Sequence, residues 1–128
     1  MRILAVDIGT GTQDILLFDS DREVENCLKM VMPSPTVLLA DAIRAATRRG
    51  EDVLLTGVLM GGGPCAWAVA DHLKAGYRVY ATPAAARTFD DDLDAVAAMG
   101  VTLVSDDEAR GINGDVTGLR MADFDYRA

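Results

Sequence analysis

The 128-residue sequence predicts one α/β domain built on a mixed β-sheet with helices on both faces. Three observations predict it. Three apolar stretches joined by short turns fill the first 32 residues, the pattern of an antiparallel meander. From residue 34 onward, segments of helical period alternate with short apolar runs, and strands separated by helices join through right-handed parallel crossovers. Half of the residues are apolar, so the chain can build a core, and a domain this long buries roughly two-thirds of its unfolded surface.

Taken in order, residues 2–8 read as a strand and residues 13–19 as its antiparallel partner, after the turn Gly9-Thr10-Gly11-Thr12. A third strand, Glu23 to Met32, follows the polar turn Asp19–Arg22. Ser34 and Pro35 supply an N-cap and a first helical position. Leu39, Ala42, Ile43 and Ala46 share one helical face, and Gly50 ends that helix. Asp52 to Met60 is a mostly apolar strand, broken by Gly61-Gly62-Gly63-Pro64. The next helix turns Ala66, Val69, Ala70 and Leu73 inward and stops at Gly76. Tyr77 to Ala81 is again a strand. Thr82-Pro83 repeats the cap-and-proline start, and Thr88 with Asp91 offers a second start of capping-box type. Phe89, Leu93, Val96 and Ala97 form that helix's apolar face, Gly100 stops it, and Val101 to Val104 is a short strand. Residues 105–128 read as loop, with a strand from Val116 to Phe124. Three strands followed by α-β-α-β-α-β is the ribonuclease-H-like order.

Composition removes several function classes. The net charge is −8 and the longest basic run is Arg48-Arg49, which argues against a nucleic-acid or anionic-membrane surface. Cys27 and Cys65 lie far apart, with one histidine in the chain, so zinc and iron–sulfur centres are not expected and both thiols read as buried and free. No apolar run approaches eighteen residues, and the short N-terminal run ends at Asp7 without a cleavage site, so a cytoplasmic protein is the expectation.

The chemistry concentrates in the first hairpin. Gly9-Thr10-Gly11 with Asp14 half-matches a dinucleotide fingerprint, but a strand follows where that fingerprint needs a helix, and Asp14 replaces the third glycine. No G-x-x-x-x-G-K-[ST] run is present. The alternative is a hairpin whose amides form an anion nest, with the Thr10 and Thr12 hydroxyls beside it and Asp7 holding magnesium through water. An ordinary hairpin, with glycines supplying positive φ, is the competing reading. Gly61, Gly62 and Gly63 are more glycine than a simple turn requires, and their loop opens a helix N-terminus, which favours an anion; a tight helix-packing loop is the plainer account. In the expected sheet that loop shares an edge with the Gly-Thr turn. Arg87 can pair with a phosphate or with Asp90 or Asp91. The acidic run 90–94 suits a helix start, His72 reads as a surface residue, and Trp67, Tyr77, Met60, Met99 and Met121 read as packing residues.

Val6-Asp7-Ile8-Gly9-Thr10-Gly11-Thr12, followed by Leu17-Phe18-Asp19, resembles the first phosphate motif of the actin, sugar-kinase and heat-shock chaperone ATPase superfamily. The chain more narrowly resembles an uncharacterised prokaryotic family of that superfamily. The matching pieces are Asp7 to Asp19, Pro33 to Thr36, Leu55-Thr56-Gly57, Met60 to Pro64, Gly76 to Thr82 and Ala86-Arg87-Thr88. Some members are labelled pyruvate formate-lyase activating enzyme-like. The sequence lends that label no support, since such activases need C-x-x-x-C-x-x-C. The resemblance implies that residues 1–128 are the N-terminal lobe of an actin-like ATPase fold. It implies ATP and Mg²⁺ as cofactors, a small-molecule substrate and a second lobe of the same protein beyond residue 128. The implied nucleotide contacts are Gly9, Thr10, Gly11, Thr12, Gln13, Gly61, Gly62, Gly63 and Arg87, with Asp7 toward the metal.

An ATP-dependent phosphotransferase or ATPase is therefore the leading expectation, the isolated lobe binding nucleotide weakly and turning nothing over. No catalytic residue is assigned. A non-catalytic ligand-binding or assembly module is the alternative. A nuclease ranks last, because the strand through Thr56 to Met60 brings no second acid for a two-metal centre.

Overall fold

The computed structural model describes residues 1–59 and 62–122, and the chain divides into two compact units, Met1–Ser34 and Pro35–Ala128. The first unit is the expected meander. Strands β1 (Arg2–Ile8), β2 (Thr12–Asp19) and β3 (Leu28–Pro33) form an antiparallel sheet in the order β1-β2-β3. The β1–β2 register opposes Ile8 to Gln13, Asp7 to Asp14 and Arg2 to Asp19. Side chains alternate across a strand, so Leu4, Val6, Ile15, Leu17, Leu28 and Met30 share one face while Ala5, Asp7, Asp14, Leu16, Lys29 and Val31 share the other. Leu4, Leu28 and Val31 are more than half exposed. The third strand begins later than its sequence suggests. A 3-10 turn at Val24–Asn26 comes first, and the Cys27 Sγ beside it accepts from the Asp19 amide at 3.5 Å and donates to the Glu23 carbonyl at 3.6 Å.

The second unit carries helix α1 (Pro35–Arg49), β4 (Asp52–Val58), α2 (Pro64–Lys74), β5 (Val79–Ala81), α3 (Pro83–Ala86), α4 (Leu93–Ala98), β6 (Thr102–Leu103), α5 (Asp106–Gly111) and β7 (Val116–Ala122). Its sheet is wholly parallel, in the order β6-β5-β4-β7. Here the single mixed sheet expected from the element order is corrected: the described residues form two sheets. β4 hydrogen-bonds β5 on one side and β7 along its whole length on the other, from Asp52 opposite Val116 to Val58 opposite Ala122. Both edges of β4 are therefore filled from within the second unit.

The core of this unit is aliphatic. Ile43 of α1, Val53 and Leu55 of β4, Val69 of α2, Val79 of β5, Val96 of α4 and Met121 of β7 are at most 1% exposed. Burying one such side chain contributes about 1.5–3 kcal/mol. Pro35 opens α1 as expected, whereas the buried Ser34 hydroxyl has no hydrogen-bond partner among the described residues, so it is not a side-chain cap. Thr88 does not start a helix. Its hydroxyl donates back to the Ala85 carbonyl at 2.6 Å, and α4 begins after Asp92, whose carboxylate accepts from the Asp94 amide at 2.9 Å. The stretch read as loop after residue 104 contains α5. It is fixed by a capping box in which the Ser105 amide donates to the Glu108 carboxylate at 2.8 Å and the Glu108 amide to the Ser105 hydroxyl at 3.1 Å. The expected strand is described as far as Ala122, and its last two expected residues, Asp123 and Phe124, lie outside the described residues.

Gly57 is the one glycine inside β4. Its φ is +78°, and a Cβ there would collide with the Met121 carbonyl oxygen of β7.

Candidate functional site

In the first unit the turn between β1 and β2 is closed by the Gly9 amide, which donates to the Thr12 carbonyl at 3.0 Å. Two bonds tie it to the end of β3. The Ser34 amide donates to the Gly11 carbonyl at 3.0 Å, and the Gln13 side-chain amide donates to the Pro33 carbonyl at 3.1 Å. Gln13 is 7% exposed, so this side chain is a strap for the turn. Gly9, Thr10, Gly11 and Thr12 are all exposed, and the Thr10 and Gly11 amides have no backbone acceptor among the described residues.

The two glycines of this turn differ. Neither has positive φ, so the hairpin does not use them for left-handed backbone, as an ordinary tight hairpin would. A Cβ at Gly9 would approach the Thr12 carbonyl oxygen at 3.2 Å, a local packing reason for glycine. A Cβ at Gly11 would meet nothing within 4 Å. Neither torsion nor packing demands glycine at 11, and a bare backbone there leaves room for a ligand to reach the amides.

Asp7, next to the last residue of β1, is exposed and directly across from Asp14. Both line a hollow of about 330 Å³ with Ala5, Leu16, Lys29 and Val31. Neither carboxylate makes an ion pair among the described residues. Directly opposed like charges destabilise a strand pair, and a hard cation relieves that. Magnesium binds through one or two carboxylates and keeps several waters, so this donor set fits it. Asp14 was legible in the sequence: a four-residue turn after Ile8 pairs Ile8 with Gln13 and therefore Asp7 with Asp14.

The second unit holds the other candidates. Gly61 lies outside the described residues, as does Met60. Gly62 is exposed, and its carbonyl accepts from the Thr36 hydroxyl at 3.4 Å. Gly63 caps α2 with φ +61° and accepts from the Trp67 amide at 3.1 Å, so glycine at 63 has a backbone reason of its own. Arg87 ends α3, exposed, and the expected ion pair with Asp90 or Asp91 is absent among the described residues. The Asp90 carboxylate accepts from the Asp92 amide at 2.9 Å, so the acidic run organises the start of α4.

Three further expectations change. Trp67 is 66% exposed and Met99 46%, so neither is a core residue, whereas Met121 is. His72 is fully buried, not on the surface. Thr47 donates its only O–H to the Ile43 carbonyl at 2.9 Å, so at 2.7 Å it accepts from His72 Nδ1–H. His72 Nε2 is then a bare acceptor, and it has no partner among the described residues. Tyr77 packs on the ring with centroids 5.4 Å apart, as a packing residue should. Both cysteines are buried and free, as expected. Burial pushes the Cys65 thiol up to about 12 although it stands in the first turn of α2. Native protein at pH 8 is therefore expected to leave Cys65 unalkylated by iodoacetamide, with labelling after denaturation, read by peptide mass spectrometry.

Among the described residues no group of three or more His, Cys, Asp or Glu side chains is placed to hold a metal, and no helix is long and apolar enough to cross a membrane. Fold and site together define a mixed α/β protein with a three-stranded antiparallel sheet, a four-stranded parallel sheet and a glycine-threonine hairpin beside paired carboxylates. The chain belongs to the family described as "Putative pyruvate format-lyase activating enzyme (DUF1786)", whose model matches residues 60–128. No curated protein and no solved structure matches the chain.

Proposed function

We propose that the Asp7–Thr12 hairpin binds magnesium–nucleotide phosphate, and that the chain is the N-terminal lobe of an ATP-dependent phosphotransferase or ATPase of the actin, sugar-kinase and heat-shock chaperone ATPase superfamily. The observation that carries the reading is Gly11, a glycine that neither backbone torsion nor packing requires, in a turn with two amides that have no backbone acceptor among the described residues. Those amides and the Thr10 and Thr12 hydroxyls suit phosphate oxygens. Asp7 would hold the magnesium, with Asp14 the nearest second carboxylate. The metal would supply charge neutralisation on the phosphates, and the hairpin would fix their position. In the second unit Gly62, Gly63 and Arg87 are the candidates for ligand contact, with Gly61 beside them in sequence.

Calorimetry of ATP into the full-length protein tests this. Binding is expected with magnesium and not with EDTA, lost in Asp7→Ala. Gly11→Ala is expected to leave the urea midpoint unchanged yet weaken ATP about tenfold or more, as loss of one charge-assisted contact does. Absence of ATP binding at millimolar concentration removes the proposal. The alternative, a non-catalytic assembly module, is favoured by the exposed Leu4, Leu28 and Val31 of the meander. It predicts concentration-dependent association without nucleotide dependence.

A further inference from the structure

A second cleft lies wholly within the parallel-sheet unit. It measures about 220 Å³ and is lined by Thr56, Thr82, Asp106, Ala109 and Arg110. Thr56 stands near the carboxyl end of β4 and Thr82 directly after the carboxyl end of β5, its neighbour in the sheet. Parallel sheets bind ligands at that edge. Thr82 occupies the N-cap position of α3, yet its hydroxyl makes no capping bond, and the residue is 3% exposed. Thr82 is one of the residues that line the cleft.

The opposite wall is α5, held in place by the Ser105–Glu108 capping box. Asp106 and Arg110 are one turn apart and share a face. Arg110 nevertheless pairs with Asp107, Nη1 to Oδ1 at 2.9 Å, and not with Asp106. The Asp106 carboxylate has no ion-pair partner among the described residues. Asp107 engages one edge of the Arg110 guanidinium and leaves further donors. The residues that line the cleft thus carry a cation, an anion and two hydroxyls, with Ala109 among them.

Each charge excludes one ligand class. A simple anion would satisfy Arg110 and meet Asp106. A simple cation would do the reverse. A molecule with a carboxylate at one end and hydroxyl donors at the other satisfies both. The volume is below the range for drug-sized ligands, so the chain of that molecule is short. We propose that this cleft binds a short-chain hydroxy acid, its carboxylate on Arg110 and the threonine hydroxyls, its hydroxyl groups donating to Asp106. The site uses none of the hairpin's residues.

The test is an amide NMR titration of the full chain with glycerate, with propanoate, glycerol and inorganic phosphate as comparisons. Glycerate is expected to move the Thr56, Thr82 and Arg110 amides saturably, and each comparison to bind at least about fivefold more weakly for want of one contact. Arg110→Gln, at an exposed position, should weaken glycerate about tenfold with the spectrum still dispersed. Thr82→Val should weaken it and Thr82→Ser should not. No saturable shift with glycerate overturns the proposal, as does propanoate or phosphate binding equally well, or a folded Arg110→Gln protein that binds unchanged.

Discussion

Gly57→Ala is expected to destabilise the protein by about 3 kcal/mol or more, because two penalties add at one atom. The residue holds φ +78° near the carboxyl end of a strand pair, where an L side chain is strained. Its new Cβ would also strike the Met121 carbonyl oxygen. That obstacle is backbone, so it cannot rotate away, and β7 must shift to make room. Shifting β7 withdraws Met121 from the core, where it is 1% exposed. Urea denaturation measures the loss, as a lower midpoint with unchanged slope for a two-state loss of stability. A midpoint within error of the parent would mean that β7 does not pair with β4 at this point.

Acid is expected to weaken the fold through His72, and His72→Leu to remove that sensitivity. Burial lowers the imidazole's pKa from its ordinary 6.5, with the Arg78 backbone and the Asp52 charge acting the other way. The folded state therefore prefers the neutral ring. Between the folded pKa and 6.5 the unfolded chain binds the extra proton, so stability rises with pH across that window. The contribution is complete above about pH 6.5 and is lost as the pH falls through the folded value, at no more than about 1.4 kcal/mol per pH unit for one group. Leucine has similar bulk and no orphaned Nε2, and Thr47 still donates to Ile43. The variant should thus match the parent within about 1 kcal/mol at pH 7.5, since one modest hydrogen bond is lost and one unsatisfied acceptor removed. Melting temperatures from pH 7.5 to 5 should then fall less steeply than the parent's. Parallel slopes would place the acid sensitivity elsewhere.

The elements whose signals are local were the legible ones. The hairpin of β1 and β2 and the 3.6-residue period of α1 are written in adjacent residues, and Leu39, Ile43 and Ala46 are buried as that period requires. In α2 the alanines blurred the period. The expected face was Ala66, Val69, Ala70 and Leu73, whereas the buried stripe is Cys65, Ala68, Val69 and His72. That rotation is why His72 read as a surface residue between Asp71 and Lys74. The capping box of α5 was spelled out by Ser105 and Glu108, but Gly111 and Gly114 drew the segment toward loop. Partner choice between parallel strands has no local signature. Nothing within Val116–Ala122 states that it lies beside β4, so the division into two sheets was not readable.

The site divides in the same way. Asp7 and the Gly-Thr turn are contiguous and were visible, and Asp14 needed only the register of the hairpin. The turn's bonding was not visible: Gln13 is engaged with Pro33, and the Gly9 amide with Thr12. The cleft of Thr56, Thr82 and Arg110 draws on three separate segments, and only their packing brings them together.

The pairing of β4 with β7 also bears on how the chain is made. Asp52 and Val116 are register partners, so this strand pair is strongly nonlocal, and such contacts form late. On a ribosome, β4 emerges well before β7 is synthesised. Its flank remains an unsatisfied apolar edge for that interval, the kind of edge that recruits foreign strands. Chaperone capture of nascent chains should accordingly persist until translation has passed residue 122 and released β7 from the exit tunnel.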